Sequence, residues 1–451
     1  MMGGRNSNPL LIRGGHIVDP EHNLDIVGNL LIKEGRIGWL GKGGEVPAAT
    51  EYDIFPAEGL IVSPGFIDLH CHLREPGYED KETIATGTRA AARGGFTTVC
   101  CMPNTNPPLD SVSTIGYVRA KARTEGVVRV LPIGCVTKGR QGKELAPLEE
   151  LSGAGAVGFS DDGSPVADSE IMRQALEQSR NLDLPVIDHC EDTTLTSGGV
   201  INEGRISHLL GLPGMPAKAE ENVVARDIEL AGKTGGWLHI AHVSTSGSVE
   251  LIRRAKARRG RVTAEVTPHH LTLTEERVKE CGTRAKVNPP LRTENDVQAL
   301  VQGLKDGVID IIATDHAPHT AADKQGDFTR TAFGISGLET ALGALMGLVH
   351  DGQLTLATLI AKLTIRPAKI IGDKYGLLGT LAPGAPADIT IFDPNKEWLV
   401  DPKTFASKGK NTPWAGFVLK GKVMATIFGG KLVYKDNSIK VEEKILNTKS
   451  F

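Results

Sequence analysis

The sequence is poor in several features that would place it in a specialised class of protein. Aromatic residues make up only 4% of its 451 residues and the formal net charge is −3, so we expect no nucleic-acid partner. No apolar run approaches the roughly 20 residues that a membrane-spanning helix needs, so we expect no membrane partner. The six cysteines form no CxxC pair, which favours buried thiols in a reducing compartment over a disulfide scaffold. We therefore predict a cytoplasmic protein.

The two ends of the chain have similar local sequence patterns. Short β-like segments, separated by Gly and Asp-Pro turns, occupy residues 1–62 and again residues 377–451. A sheet of such short strands is weak when it stands alone, so we predict one small β-sandwich domain formed from both ends. The 40% of hydrophobic residues is enough for a second, larger core, which we place in residues 63–376.

The middle of the chain repeats a strand, a loop and a helix. Eight short, apolar stretches are candidate parallel strands: Gly65–His72, Thr97–Met102, Val128–Cys135, Ala156–Ser160, Pro185–His189, Trp237–Val243, Arg261–Val266 and Ile309–Thr314. This count predicts the α/β class, as a (β/α)₈ TIM-type barrel. A doubly wound open sheet is the alternative, but no GxGxxG motif follows the first strand.

Histidines and acids collect where the predicted strands end. In the first strand, alternation places Asp68, His70 and His72 on one face. Other strands end in these groups: Ser160-Asp161-Asp162-Gly163, Asp188-His189-Cys190-Glu191, His239 and His242, Thr267-Pro268-His269-His270, and Asp315-His316-Ala317-Pro318-His319. Because active sites of such barrels lie at the carboxyl ends of the strands, we expect most of the 13 histidines at one rim.

Single members of this set have simpler explanations. Spacing alone does not choose between Asp161 and Asp162, and an Asp-Asp-Gly run also suits a turn. His269 and His270 could lie at the site or cap a loop. The complete set nevertheless suits a hydrolytic metal centre, because imidazole and carboxylate are the ligands that zinc takes while an open position is left for water.

The chemistry of these side chains also predicts a separate role for each kind of residue. Four histidines and two aspartates exceed the needs of one tetrahedral ion, whereas two ions bridged by an aspartate would use them all. An aspartate at the end of the last strand, Asp315, suits proton transfer to a leaving nitrogen. Arg74 and His319 lie just beyond the ligands and suit an anionic substrate.

The motifs resemble those of the amidohydrolase superfamily, and within it the type I dihydroorotases. The likeness is carried by Pro64-Gly-Phe-Ile-Asp-Leu-His-Cys-His-Leu-Arg74-Glu-Pro-Gly, Met102-Pro-Asn104-Thr, Ser160-Asp-Asp-Gly163, Lys286-Val-Asn288-Pro-Pro-Leu-Arg, Asp315-His-Ala-Pro-His319 and Gly379-Thr-Leu-Ala-Pro-Gly-Ala-Pro-Ala-Asp388. It covers nearly the whole chain. Related dihydropyrimidinases bridge their metals with a carboxylated lysine at strand four, but here that place reads Phe159-Ser-Asp-Asp.

The resemblance implies a role for each matched residue. It implies these metal ligands: His70, His72 and Asp315 for one Zn²⁺, His189 and His242 for a second, and Asp162 as the bridge. It implies these substrate contacts: Arg74, Asn104 and His319 on a carboxylate, with Asn288 and the backbone of Phe333 and Gly334 nearby. Asp315 would be the general acid and base. One tight zinc with a labile second ion is the alternative to two equal sites.

The reaction implied is the reversible cyclisation of N-carbamoyl-L-aspartate to L-dihydroorotate in pyrimidine biosynthesis, with metal-bound hydroxide attacking the amide carbonyl in the opening direction. The alternatives are another cyclic-amide hydrolase, of the allantoinase or hydantoinase type, or a silent homologue that scaffolds aspartate carbamoyltransferase. The filled ligand positions favour an active enzyme. The resemblance leaves a carbamoyltransferase partner open, and we expect a homo-oligomer. The polar loop Asp323–Thr331 predicts a mobile lid.

Overall fold

The computed structural model describes residues 8–45 and 51–446 of the chain. Its strands are β1 (Leu10–Asp19), β2 (Leu24–Lys33), β3 (Arg36–Lys42), β4 (Glu51–Pro56), β5 (Ile61–Pro64), β6 (Phe66–Cys71), β7 (Phe96–Cys101), β8 (Arg129–Pro132), β9 (Val186–Asp188), β10 (Ile201–Asn202), β11 (Gly214–Met215), β12 (Leu238–Ile240), β13 (Val262–Val266), β14 (Ile311–Ile312), β15 (Ile389–Leu399), β16 (Val418–Phe428), β17 (Lys431–Lys435) and β18 (Glu442–Leu446). Its α-helices are α1 (Ile84–Arg93), α2 (Val112–Glu125), α3 (Leu148–Ala154), α4 (Ser169–Leu182), α5 (Thr193–Thr196), α6 (Arg205–Leu210), α7 (Ala217–Thr234), α8 (Ser246–Ala257), α9 (Pro268–Thr272), α10 (Arg277–Cys281), α11 (Glu294–Lys305), α12 (Ala341–His350), α13 (Leu356–Leu363) and α14 (Ile365–Ile371).

Two runs of parallel strands make up the predicted barrel. β6, β7 and β8 pair in that order, and β9, β12, β13 and β14 pair in that order. The end of β6 also pairs with the segment after β14, where the His72 N–H donates to the His316 carbonyl at 2.8 Å. A side-chain clamp reinforces this contact, because Asp68 accepts hydrogen bonds from the Thr314 N–H at 2.8 Å and its hydroxyl at 2.5 Å. The first and last strands are therefore joined.

The fourth barrel strand is shorter than the sequence predicts. The stretch Ala156–Ser160 makes single parallel bridges, from Phe159 to Gly134 on one side and to Val186 on the other. Its backbone still bonds both neighbours, since the Gly134 N–H donates to Gly158 at 3.0 Å and the Ile187 N–H donates to Phe159 at 2.7 Å. These bridges complete a closed (β/α)₈ barrel and confirm the predicted fold class.

Several of the helices that follow the strands begin at polar caps. The Thr83 side chain accepts from the N–H of Thr86 at the start of α1, and Thr245 and Thr293 do the same for α8 and α11. Each cap satisfies an N–H that has no partner inside the helix, which fixes where the helix starts. The loops between strand ends and these caps carry the candidate site residues.

The two ends of the chain share one small sheet. β15 pairs antiparallel with β5 and with β16, while β1 pairs with β2, β4 and β5. β1 can do this because its ladder shifts register between Ile12 and Gly15, with Gly14 at φ 72°, so its two halves meet different neighbours. The small β-sandwich is thus one continuous hydrogen-bonded sheet, and its strands surround an apolar core. Residues 1–7, 46–50 and 447–451 of the predicted small domain lie outside the described residues, and its limits stay a prediction.

Aromatic packing joins the small sheet to the barrel. The Phe66 ring of β6 lies 5.8 Å from that of Phe96 and 6.1 Å from that of Phe392 in β15. The Thr390 hydroxyl donates to the Gly95 carbonyl at 2.5 Å and accepts from the Phe66 N–H at 3.3 Å. Among the described residues, no helix has both the length and the apolar character needed to cross a bilayer.

Replacing Phe392 with Ala should lower the free energy of unfolding by about 3–5 kcal/mol, because a fully buried ring leaves a cavity at this junction. Thermal and denaturant unfolding followed by circular dichroism would measure the loss. Leu399→Ala, in the same strand but 61% exposed, is the matched control and should change stability by no more than about 0.5 kcal/mol. Equal losses in both variants would contradict the packing role of Phe392.

Candidate metal centre

Six acidic and imidazole side chains meet at the carboxyl ends of the barrel strands. All of the ligands predicted from the sequence are buried there: His70, His72, Asp162, His189, His242 and Asp315. Asp162 lies at the centre, with its Oδ1 atom 3.4 Å from His70 Nε2, 3.7 Å from His189 Nδ1 and 3.6 Å from His242 Nε2. Asp315 Oδ1 lies 3.1 Å from His72 Nε2 and 3.5 Å from His70 Nε2.

These side chains form two groups that share one carboxylate. Donor atoms of His70, His72 and Asp162 lie within 4.8 Å of one another, and so do those of Asp162, His189 and His242. The neighbouring Asp161 turns away and accepts from the N–H groups of Val136 and Thr137 at 2.9 and 3.1 Å. The geometry thus separates the two aspartates that spacing alone could not.

The outer nitrogens of three imidazoles are bonded to oxygens outside the cluster. His70 Nδ1 bonds Glu265 at 2.6 Å, His72 Nδ1 bonds Asn104 at 2.9 Å, and His189 Nε2 bonds Glu191 at 2.9 Å. The other nitrogen of each ring faces the centre, and the buried His70 Nε2 has no hydrogen-bond partner there. Histidines that bind metals are held in this way, so the residues fit a metal ion.

The charges in the cluster are mutually dependent. Burial alone would raise the pKa of Asp162, but the imidazoles of His70, His189 and His242 hold it well below its usual range. Burial likewise opposes ionisation of Glu265, yet His70 and His239 lower its pKa to about 2. Both carboxylates therefore stay ionised, which is the form that a cation requires.

The residues predicted to bind substrate line a cavity of about 230 Å³ above the cluster. They are Arg74, Asn104, Asn288, His319, Phe333 and Gly334. The Arg74 guanidinium lies 3.3 Å from His319 Nε2, and its Nε donates to the Pro318 carbonyl at 3.3 Å. A larger cavity of about 420 Å³, where α12 meets β15 and β16, contains none of the predicted site residues. The smaller cavity is the functional candidate because the clustered acids and imidazoles open into it.

Some predicted substrate contacts already have partners within the protein. Asn104 Oδ1 accepts from His72 Nδ1, and its Nδ2 donates to Asp162 at 3.3 Å. Asn288 Nδ2 donates to Glu191 at 2.8 Å. Both amides therefore contact the acid–imidazole cluster or its neighbour Glu191 as well as lining the cavity.

Three residues of this site have a strained backbone. Arg74, His242 and Asp315 have φ angles of 61°, 31° and 46°, in the left-handed region that residues other than glycine seldom adopt. Such conformations persist where the surrounding structure holds them, and they accumulate at functional sites. Here they turn three side chains towards one centre.

One acid that supports the cluster, Glu265, was not among the residues predicted for the site. Glu265 of β13 is fully buried and bonds both His70 and His239, while its Oε1 accepts from the His242 N–H at 3.3 Å. Its signal was a lone charge inside an apolar strand, Val262-Thr-Ala-Glu-Val266. His239, noted on the sixth strand, belongs to this supporting layer. His270, left open from the sequence, bonds Thr267 and the Pro289 carbonyl and lies outside both groups.

The predicted lid loop is bonded to the barrel. Lys286 Nζ donates to the carbonyls of Phe328 at 2.7 Å and Thr331 at 2.6 Å, and Lys324 Nζ donates to that of Ala332 at 2.8 Å. Burial lowers the pKa of Lys324 to about 7. Lys286 thus holds the middle and the end of the loop, and Lys324 joins its start to its end. The motion of the loop stays a prediction.

Comparison with known proteins gives consistent results. The family model described as Dihydro-orotase-like matches residues 59–248, and that of the Amidohydrolase family matches residues 216–434. The chain is 50% identical to the dihydroorotase of Syntrophus aciditrophicus over 429 residues, which are 95% of this chain and 100% of that protein. It is 52% identical to the dihydroorotase of Pelotomaculum thermopropionicum over 432 residues, 96% of this chain and 100% of that protein.

Solved structures share the fold at lower identity. L-hydantoinase from Arthrobacter aurescens has a TM-score of 0.86 and 25% identity, covering 97% of this chain and 98% of its own. Dihydropyrimidinase from Brevibacillus agri has a TM-score of 0.82 and 24% identity, covering 96% and 97%. The barrel and the small sheet therefore recur together in these proteins.

Replacing Glu265 with Gln should weaken metal binding about 10- to 100-fold, because the neutral amide orients and polarises His70 less well than the carboxylate. Competition with a chromophoric chelator for Zn²⁺ would measure the affinity. Glu339→Gln is the control, because the Glu339 side chain is only 5% exposed but pairs with Arg93 and accepts from the N–H groups of Ala406 and Ser407 instead. This variant should bind the metal as tightly as wild type. Unchanged affinity in the Glu265 variant would remove it from the metal-supporting role.

Proposed function

This chain belongs to the dihydroorotase family of metal-dependent amidohydrolases, and on that premise we propose that it interconverts N-carbamoyl-L-aspartate and L-dihydroorotate. The reaction closes an amide ring with loss of water, as a step of pyrimidine biosynthesis. One observation carries the proposal: the acid–imidazole cluster and the Arg74–His319 pair line the same cavity. A substrate with a carboxylate on one side and an amide on the other needs both groups: the Arg74–His319 pair for the carboxylate and the cluster for the amide.

The metal is best assigned as two zinc ions. His70, His72 and Asp315 would hold one, His189 and His242 the other, and Asp162 would bridge them. The imidazole and carboxylate donors support zinc, although one tight ion with a labile second remains the alternative stoichiometry. When bound, such ions lower the pKa of a water molecule and polarise the carbonyl that it attacks.

Asp315 is the residue that we assign to proton transfer. Its carboxylate lines the cavity and lies 3.1 Å from His72 Nε2. Burial opposes its ionisation, but the imidazoles of His72 and His70 hold its pKa below the usual range, so the carboxylate is ionised. In the ring-opening direction it would take the proton of the attacking water and deliver it to the ring nitrogen. In ring closure the same proton moves back.

Arg74 and His319 would bind the substrate carboxylate, with Asn104 beside them. The guanidinium lies half-buried at the cavity wall, so its charge is partly shielded from solvent and its donors suit a carboxylate. Asn288 and the backbone of Phe333 and Gly334 would border the ring. This assignment divides the cavity into an anion side and a metal side.

A hydantoinase-type activity is the alternative, and the resemblance to solved hydantoinases supports testing it. Two features favour dihydroorotate as the substrate. The chain is 50% identical to a dihydroorotase along nearly its whole length, and its fourth strand is followed by Asp162 in place of a lysine. Parallel assays with hydantoin and with 5,6-dihydrouracil, which lacks the carboxylate, would distinguish the two. Faster turnover of either than of dihydroorotate would overturn the proposal.

The finer predictions on location and partners also belong here. All six cysteines are free and five are buried, which supports a reducing, cytoplasmic location. A homo-oligomer and an aspartate carbamoyltransferase partner are proposed from the family resemblance alone. Light scattering of the purified chain, alone and co-expressed with a carbamoyltransferase, would measure both.

The purified protein should contain zinc by elemental analysis and should cyclise N-carbamoyl-L-aspartate. Asp315→Asn should keep most of the metal while turnover falls by at least about 100-fold, because the amide cannot accept the proton. Asp310→Asn is the control, since Asp310 lies at the opposite end of the same strand and pairs with Lys256. Turnover near the wild-type rate in the Asp315 variant would exclude the acid–base role, and an inactive wild type would exclude the proposed function.

A further inference from the structure

The connection between β15 and β16 reaches the mouth of the barrel. Residues 401–414, here called the crossover segment, leave the small sheet and pack against the loop that follows β14. Most of its residues from Phe405 to Trp414 are buried. The Ser407 hydroxyl donates to Glu82 at 2.5 Å, and the Ser336 N–H donates to the Asn411 carbonyl at 2.7 Å. The small sheet thus contributes a wall next to the candidate site.

Asn411 bonds two of the residues assigned to substrate binding. Its Oδ1 accepts from the His319 N–H at 3.1 Å, and its Nδ2 donates to the Gly334 carbonyl at 2.8 Å. The amide is only 7% exposed, so water competes little for these bonds. One side chain from the crossover segment therefore fixes the spacing of two loops.

Gly409 lies against the same loop. A methyl group at this position would lie 2.5 Å from Pro318 Cβ and 2.9 Å from the His319 nitrogen. The Ser336 hydroxyl donates to the Gly409 carbonyl at 2.9 Å, which holds the close approach in place. A larger side chain therefore forces this segment and the backbone of Pro318 and His319 apart.

These contacts continue to the guanidinium. Arg74 Nε donates to the Pro318 carbonyl, and its terminal nitrogen lies 3.3 Å from His319 Nε2. His319 Nε2 bonds the Phe333 carbonyl at 2.7 Å, and the Gly334 carbonyl also accepts from Lys324 at 3.1 Å. Movement of Pro318 and His319 would therefore move the groups that face the substrate carboxylate.

We propose that the crossover segment, through Asn411 and Gly409, positions the Arg74–His319 pair for the carboxylate of the substrate. This inference rests on the proposed function, because that function supplies the carboxylate. Asn411 and Gly409 are positioning residues, since their contacts are with His319, Gly334 and Pro318. Neither contacts the metal-binding cluster, so ground-state binding should be affected more than the chemical step.

The test compares Asn411→Ala and Gly409→Ala with two controls from the same segment. Thr412→Val alters a buried residue whose hydroxyl accepts from Trp414 inside the segment, and Lys403→Ala alters an exposed one. Asn411→Ala removes two hydrogen bonds, whereas Gly409→Ala adds volume, so the two variants disturb the site by different routes. Thermal unfolding would establish that each variant is folded.

Both test variants should raise the KM for L-dihydroorotate about five- to tenfold, with kcat within about threefold of wild type. For Asn411→Ala this is the effect of one or two lost hydrogen bonds, and for Gly409→Ala it follows from the displaced backbone at Pro318 and His319. Bound zinc should be unchanged. The dissociation constant of orotate, which carries the same carboxylate on a planar ring, should rise by a similar factor in calorimetric titrations. The controls should match wild type in all three measurements.

Two outcomes would overturn the inference, and they are distinguishable. If wild type and controls are active while a folded test variant keeps its KM and its orotate affinity, the crossover segment does not position the pair. If wild type neither turns over dihydroorotate nor binds orotate, the proposed function fails and this inference fails with it.

Discussion

The hydrogen-bonded closure between the first and last barrel strands determines where the site lies. Asp68 stands two residues before His70, and Thr314 stands one residue before Asp315, so the Asp68–Thr314 clamp sets the distance between two candidate ligands. Burial raises the pKa of Asp68 to about 6, against the hydrogen bonds from Thr314 that lower it. A buried carboxylate without such partners would cost several kcal/mol. The hydrogen bonds from Thr314 thus offset the cost of burying Asp68, and they fix the first and last strands relative to each other.

Around that closure, side chains outside the cluster hold the imidazoles in place. Glu265, Asn104 and Glu191 each bond the outer nitrogen of one ring, which fixes the ring plane and the nitrogen that faces the centre. The strained backbone at His242 and Asp315 contributes in the same direction. The free energy that holds these conformations comes from the packed barrel below, whose apolar strands are almost fully buried. The stability of the barrel core and the fixed positions of the site residues at the mouth of the barrel are therefore linked.

Much of this arrangement could be predicted from the sequence because it follows from short-range periodicity. The two-residue spacing of His70 and His72 places both on one face of a strand, and eight apolar stretches followed by helices indicate a barrel. Contacts across the barrel could not be predicted in this way. Glu265 bonds His70, which lies 195 positions away in the chain, and no local sequence pattern predicts this contact. The choice of Asp162 over Asp161 also depends on the position of Thr137, which lies in the loop that follows β8.

The shared sheet has a consequence for how the polypeptide acquires its shape during synthesis. Ser63 in β5 and Thr390 in β15 face each other in the ladder but are 327 positions apart. At ribosomal speeds of about 5–20 residues per second, roughly 15–65 seconds separate their emergence. Throughout that interval the nascent β5 edge lacks its neighbour and exposes unpaired backbone to other chains. Rapid collapse of the intervening barrel, which brings β15 back to that edge, would shorten the period in which nascent chains can associate wrongly.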